Sequence, residues 1–125
     1  MLSKASQALS SIDAIKAPVE YVYENFHPDL KIENLAKFAF IPVSALERRF
    51  KKYLSKTPKQ FINDIRLENA CRMLNETRLP IADVAYRCGF SEHRYFSRQF
   101  RLIFGTLPSQ LRESMQQNTV DNLAT

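Results

Sequence analysis

Two segments of this chain carry the same order of residue types about fifty positions apart, and that repeat constrains the fold more than any other feature. Ile32, Leu35 and Ala36 recur as Ile81, Val84 and Ala85 at an offset of 49. Leu46, Arg48, Phe50, Lys51 and Pro58 recur as Phe96, Arg98, Phe100, Arg101 and Pro108 at an offset of 50. One extra residue therefore lies in or near the second copy's turn. Each copy reads as a short helix, a tight turn and a longer helix, the helix-turn-helix arrangement. The apolar residues are mostly Leu, Ile, Ala and Phe at three-four spacings, and strict alternation is nearly absent, so the expected fold class is all-α with about seven helices.

A pass along the chain gives the expected boundaries. Residues 1–14 and the polar end 113–125 read as flexible tails. The first helix-turn-helix subdomain spans 15–60, a linker helix spans 61–76 and the second subdomain spans 77–112. Ile15, Val19, Val22 and Phe26 share one helical face, with Pro18 expected in the first turn or at a kink. That helix is expected to stop near His27-Pro28, because the residue before proline is pushed out of the α region. The segment "ETRLP" is the one linker-like break.

In each longer helix, stepping about 100° per residue from Leu46 or Phe96 keeps Phe50 or Phe100 on the same side. Ser44, Glu47, Arg48 and Lys51 swing to the opposite side, as do Arg94, Ser97, Arg98 and Arg101. Arg can contact the O6 and N7 of guanine bidentately in a DNA major groove, while Ser and Glu offer smaller or acceptor contacts. Lys51, Lys52 and Arg101 suit phosphate, and Lys37 and Arg87 join them as phosphate candidates. Glu47 has three readings: it closes a capping box with Ser44, pairs with Lys51, or accepts from cytosine N4. Ser91 reads as the N-cap of the second longer helix, with Glu92 in its first turn. His93 lies at the margin of the polar face.

Charge supports an anionic partner. Residues 37–101 hold fourteen Lys or Arg against six acids, a net +8, whereas the flanks are slightly acidic. Such a basic segment points to nucleic acid, with an ordinary solvated face as the alternative. Cys71 and Cys88 make neither a metal spacing nor a disulfide framework and read as small buried thiols. The two histidines have no nucleophile arrangement beside them, so neither an enzyme, a metal nor a cofactor is expected. No apolar run approaches a membrane span, and "MLSKASQALSS" lacks the apolar core of a secretory signal. A second functional class remains open: a helical interaction domain whose basic face binds an acidic protein partner.

The stretch Ile81 to Arg112, "IADVAYRCGFSEHRYFSRQFRLIFGTLPSQLR", resembles the signature of AraC/XylS-type bacterial transcription regulators. Ile81, Ala85, Gly89-Phe90, Ser91, Tyr95-Phe96, Ser97-Arg98, Phe100, Gly105 and Pro108 fall in register. "IRLENACRML" is similar to the family's linker helix, and the likeness extends to about Ile15. The resemblance implies two helix-turn-helix subdomains whose recognition helices enter successive major grooves of double-stranded DNA. It assigns base contact to Ser44, Glu47, Arg48, His93, Arg94, Ser97 and Arg98. It further implies a cytoplasmic, nucleoid-associated regulator that activates by recruiting RNA polymerase. No sensor segment is evident, so the chain is expected to be a stand-alone regulator or the DNA-binding part of a longer one, with a sensor or dimerisation domain elsewhere.

The first copy departs from that pattern at three points. Phe40, counting forward from Ala36, or Ala39, counting back from Phe50, occupies the turn glycine's place. Ser55 replaces the glycine seen as Gly105, and Pro42 stands where a capping Ser or Thr is expected. On this reading the first recognition helix begins at Ser44 and its turn is irregular or strained.

Overall fold

A computed structural model describes the backbone of residues 4–26 and 29–124, and the side chains of 13–26 and 29–117. The described residues form seven helices and no strand: α1 (Lys4–Asn25), α2 (Ile32–Phe38), α3 (Val43–Leu54), α4 (Pro58–Glu76), α5 (Ile81–Arg87), α6 (His93–Phe104) and α7 (Pro108–Ala124). The backbone is thus helical over 4–14 and 113–124, where the sequence suggests tails. The expected helix stop at His27-Pro28 lies outside the described residues. The chain divides into two compact units between Ile65 and Arg66, inside α4.

The first unit closes over Ile15, Val22, Leu35, Ala36, Leu46, Phe50, Phe61, Ile62 and Ile65. Pro18 is buried in the interior of α1, not in its first turn. Having no N–H, it leaves the carbonyl of Ala14, four residues back, without its helical donor. The Arg49 guanidinium supplies that donor, with Nη1 3.3 Å from the Ala14 oxygen. One backbone defect thereby ties α3 to α1.

Pro58 sits at the first position of α4, where a missing N–H costs nothing. Thr57 and Gln60 close a capping box around it. The Gln60 N–H donates to Thr57 Oγ1 at 3.1 Å, and the Thr57 N–H donates to Gln60 Oε1 at 2.9 Å. Beyond Ile65, α4 supplies Leu67, Ala70 and Leu74 to the second unit's core, where Val84, Ala85, Cys88, Phe90, Phe96 and Phe100 join them. At its C-terminus the Thr77 hydroxyl donates to the Met73 carbonyl at 2.8 Å.

Arg112 of α7 reaches back to this junction. Its Nε donates to the Leu74 carbonyl at 3.2 Å and its Nη1 to the Leu79 carbonyl at 2.5 Å. The last carbonyls of α4 and the segment before α5 are thus held by one guanidinium, an interaction favoured at a helix C-terminus.

The two turns share one geometry. The Phe40 N–H donates to the Lys37 carbonyl and the Ile41 N–H to Ala36; the Gly89 N–H donates to Tyr86 and the Phe90 N–H to Ala85. Each pair of bonds is a Schellman motif, which needs a left-handed residue just after the C-cap. Gly89 takes it at φ 103° and Phe40 at φ 58°. Ala39, with φ −83°, does not carry the left-handed turn. Phe40 is therefore the counterpart of Gly89, and the extra residue of the second copy follows the glycine. Four residues separate α2 from α3, and five separate α5 from α6.

A left-handed non-glycine residue costs about 1–2 kcal/mol. Phe40 is 94% exposed, so no burial offsets that cost. Phe40→Gly should raise the first unit's stability by about 0.5–1 kcal/mol, part of the relief being lost to glycine's greater unfolded-state freedom. A thermal melt followed by far-UV circular dichroism checks this, and an unchanged or lower Tm would contradict the strain argument. The ends of α3 and α6 repeat the contrast: Ser55 is left-handed at φ 57° where Gly105 has φ 74°.

Candidate nucleic-acid interface

The twelve-residue helices α3 and α6 each have an apolar back and a polar front. Leu46 and Phe50 on α3, and Phe96 and Phe100 on α6, are completely buried. Aromatic contacts fix the backs: Phe50 meets Phe61 at 5.5 Å between ring centroids, and Phe96 meets Phe90 at 5.1 Å and Phe100 at 5.7 Å. With the backs pinned, helical geometry leaves little freedom in where the fronts point.

In the first unit Ser44, Glu47, Arg48, Lys51 and Lys52 are exposed on or beside the front of α3, and Lys37 is exposed in the last turn of α2. In the second, His93, Arg94, Arg98 and Arg101 are exposed and Ser97 is half-buried on α6, with Arg87 exposed in the last turn of α5. Every candidate residue thus reaches the surface of its own unit. Lys37 and Arg87 also lie where a cation complements the helix dipole, which gives them a stabilising role besides any contact with phosphate. The Lys52 ammonium lies 5.2 Å from the centroid of the Tyr53 ring. The His93 ring lies 6.4 Å from that of Phe96, so its orientation is linked to the core.

Two capping expectations are corrected. Ser44 and Glu47 form no capping box: α3 starts at Val43, its N-cap is Pro42 at φ −64° and ψ 156°, and no side chain caps it. Ser44 therefore lies inside the first turn, and Glu47 is released to the exposed front. Ser91 is not the N-cap of α6 either; Glu92 holds that position, again with no side-chain cap bond. Neither N-cap residue supplies a side-chain bond to the first turn of its helix.

Cys88 lies at the end of α5, immediately before the turn glycine. Its thiol receives a bond from Asn69 Nδ2 at 3.5 Å and lies 3.5 Å from the Met73 sulfur. Burial pushes its pKa up to about 11, against smaller opposing effects of the Asn69 bond and Arg72. Because the folded-state pKa is raised, the associated stabilisation is present below the unfolded value and is lost between about pH 9 and 11. At neutral pH the thiol stays protonated and unreactive. Iodoacetamide at pH 7.5 should therefore alkylate the half-buried Cys71 well before Cys88, as read by peptide mass spectrometry. Equal labelling would mean that the second turn opens readily. Among the described residues no group of three or more His, Cys, Asp or Glu side chains could hold a metal ion.

Three features of these units escape sequence reading. Arg49 is spent on the Ala14 carbonyl, although its neighbour Arg48 is free to face outward. Arg112 is the sole basic residue of 102–125, a signal that its role differs from that of the front cations. Leu102, Gly105 and Leu107 line a groove continuous with Ser97, Arg98 and Arg101.

Comparison with known proteins places this arrangement. Residues 35–114 match the model of a helix-turn-helix domain family. The chain is 31% identical over 103 residues to the HTH-type transcriptional activator RhaS of Pectobacterium carotovorum, covering 82% of this chain and 37% of RhaS. It therefore spans little more than a third of that relative's length. Among solved structures it is similar to the C-terminal domain of AraT, a response regulator from Geobacillus stearothermophilus, at TM-score 0.77 and 30% identity over 81% of this chain and 84% of that one. A transcriptional regulator with an AraC-type DNA-binding domain from Chromobacterium violaceum superimposes at TM-score 0.80 and 27% identity, over 87% of this chain and 97% of that one. The repeated units, their glycine or glycine-like turns and these matches together show that the chain belongs to the AraC-type helix-turn-helix family.

Proposed function

We propose that this chain binds double-stranded DNA sequence-specifically, with α3 and α6 as recognition helices in successive major grooves, and thereby regulates transcription. The observation that carries this reading is the recurrence of four front positions. Residues 44, 47, 48 and 51 of α3 match 94, 97, 98 and 101 of α6, each set opposite two fully buried anchors. Ser44, Glu47, Arg48, His93, Arg94, Ser97 and Arg98 read base edges, and Lys37, Lys51, Lys52, Arg87 and Arg101 neutralise phosphate. The internal repeat lets one chain read a bipartite, non-palindromic site. The naming of RhaS as an activator favours activation through RNA polymerase. The chain would act in the bacterial cytoplasm at the nucleoid; among the described residues no helix is long and apolar enough to cross a membrane.

Selection of bound sequences from a random duplex pool tests the reading. It should enrich two short motifs about one helical turn apart. Equal affinity for any polyanion would instead favour a basic face that binds an acidic protein. Lys52→Ala should weaken all duplexes alike and lower the slope of log K against log salt by about one. A base-specific effect of that substitution would remove Lys52 from the phosphate set.

A further inference from the structure

The first unit keeps an exposed aromatic ring at a place where the second has no side chain at all. Phe40 takes the left-handed position of the α2–α3 turn at φ 58°, and its counterpart in the α5–α6 turn is Gly89. Glycine adopts that conformation without a steric cost, and a bulky side chain does not. The ring gives the fold little in return, because Phe40 is 94% exposed. Ser55, the first unit's other left-handed residue, is small and polar, so its exposure costs nothing. Phe40 alone combines backbone strain with a large apolar surface in water, and strain of this kind clusters where a ligand is held.

The turn presents that ring from a fixed base. The Phe40 and Ile41 N–H groups donate to the Lys37 and Ala36 carbonyls at 3.1 Å each, and the Ile41 side chain packs against the first unit's core. Val43, the first residue of α3, follows three positions later, a chain reach of at most about 10 Å. In helix-turn-helix docking the N-terminal residues of the second helix approach the base edges. This end of α3 is poorly equipped for reading: Val43 is half-buried and Ser44 is short, where α6 begins with exposed His93 and Arg94. An aromatic ring from the preceding turn supplies reach that these two residues lack. It offers phosphate no N–H or O–H donor, and the apolar feature of a major-groove edge is the thymine 5-methyl group.

We propose that Phe40 is a specificity-determining residue whose ring packs on a thymine 5-methyl group at the margin of the base steps read by α3. This rests on the DNA-binding reading and adds to it an apolar contact from outside the front helices. It also accounts for the strained turn, since the substitution that relaxes the backbone removes the ring. The second unit, with Gly89 in the same place, makes no such contact, so the two half-sites differ in their dependence on thymine methyl groups at this position.

The test uses the whole chain and the duplex selected from the random pool, with each thymine replaced in turn by deoxyuridine, which lacks only the methyl group. Affinity for the parent chain should fall by about threefold or more at one thymine of the half-site bound by the first unit. Phe40→Gly should bind the unmodified duplex more weakly by a similar factor, and the same deoxyuridine should then change its affinity by less than about 1.5-fold, the mark of a direct pair. Its melting temperature should be no lower than the parent's, which separates a lost contact from a damaged fold. Phe40→Ser, the residue the chain itself holds left-handed at position 55, repeats the measurement without glycine's added freedom. Unchanged affinity of both variants, a deoxyuridine effect that persists in them, or an equal loss on every duplex regardless of sequence would each overturn the proposal. If a specific duplex is selected and no deoxyuridine matters, the Phe40 assignment fails alone; if no sequence is selected, the DNA reading fails and takes this assignment with it.

Discussion

Phe100→Ala lowers the unfolding free energy of the second unit by about 3–5 kcal/mol, the range for deleting a fully buried ring from a packed core. Phe100 has no exposed surface and contacts Phe96 at 5.7 Å and Phe104 at 4.5 Å between centroids, so its removal leaves a cavity lined by rings that cannot all collapse. The measurement is the urea midpoint of the helical signal, with the chain's tyrosines as a second probe because it has no tryptophan. Phe100→Leu, which keeps most of the volume, should cost less than half as much and preserve DNA binding, since position 100 faces away from the front. A loss under about 1 kcal/mol for the alanine variant would mean that α6 repacks and is not anchored as described.

Arg98→Ala should weaken specific DNA binding by about 1–3 kcal/mol and relax the preference at one base pair. Its side chain is exposed, so stability should change by no more than about 0.5 kcal/mol. That separates the prediction from the first one: Phe100 acts through the core, and Arg98 through the groove it reads. The informative readout is a binding profile against every single-base change in the selected site. A profile identical to the parent's would take Arg98 out of the reading set. Arg48 occupies the same place in the first unit, and its alanine variant provides the internal comparison.

Much of this was legible because the repeat supplies two views of one unit. Phe50 and Phe100, fifty residues apart, identify the core side of both front helices from the sequence alone. The fronts follow from them by helical stepping. Caps were less legible, for a definite reason. A Ser or Thr followed three residues later by Glu or Gln occurs both at 44–47 and at 57–60. The local sequence does not say which hydroxyl residue takes the extended conformation of an N-cap. Pro58, fixed at the first position of α4, makes Thr57 that residue, whereas Pro42 takes the cap of α3 and leaves Ser44 inside the helix. The partners of Arg49 and Arg112 were illegible because they are backbone carbonyls 33 to 38 residues away along the chain. Helical periodicity carries no information at that range.

The left-handed residues of the first unit bear on how readily this protein can change. Phe40 and Ser55 are both exposed, so a glycine at either would relax the backbone without disturbing a core contact. New base-reading side chains on α3 usually cost stability, and a chain near its folding threshold tolerates few of them. These two positions are an untapped reserve for exploring new target sequences. Gly89 and Gly105 mean that the second unit has already drawn on its own.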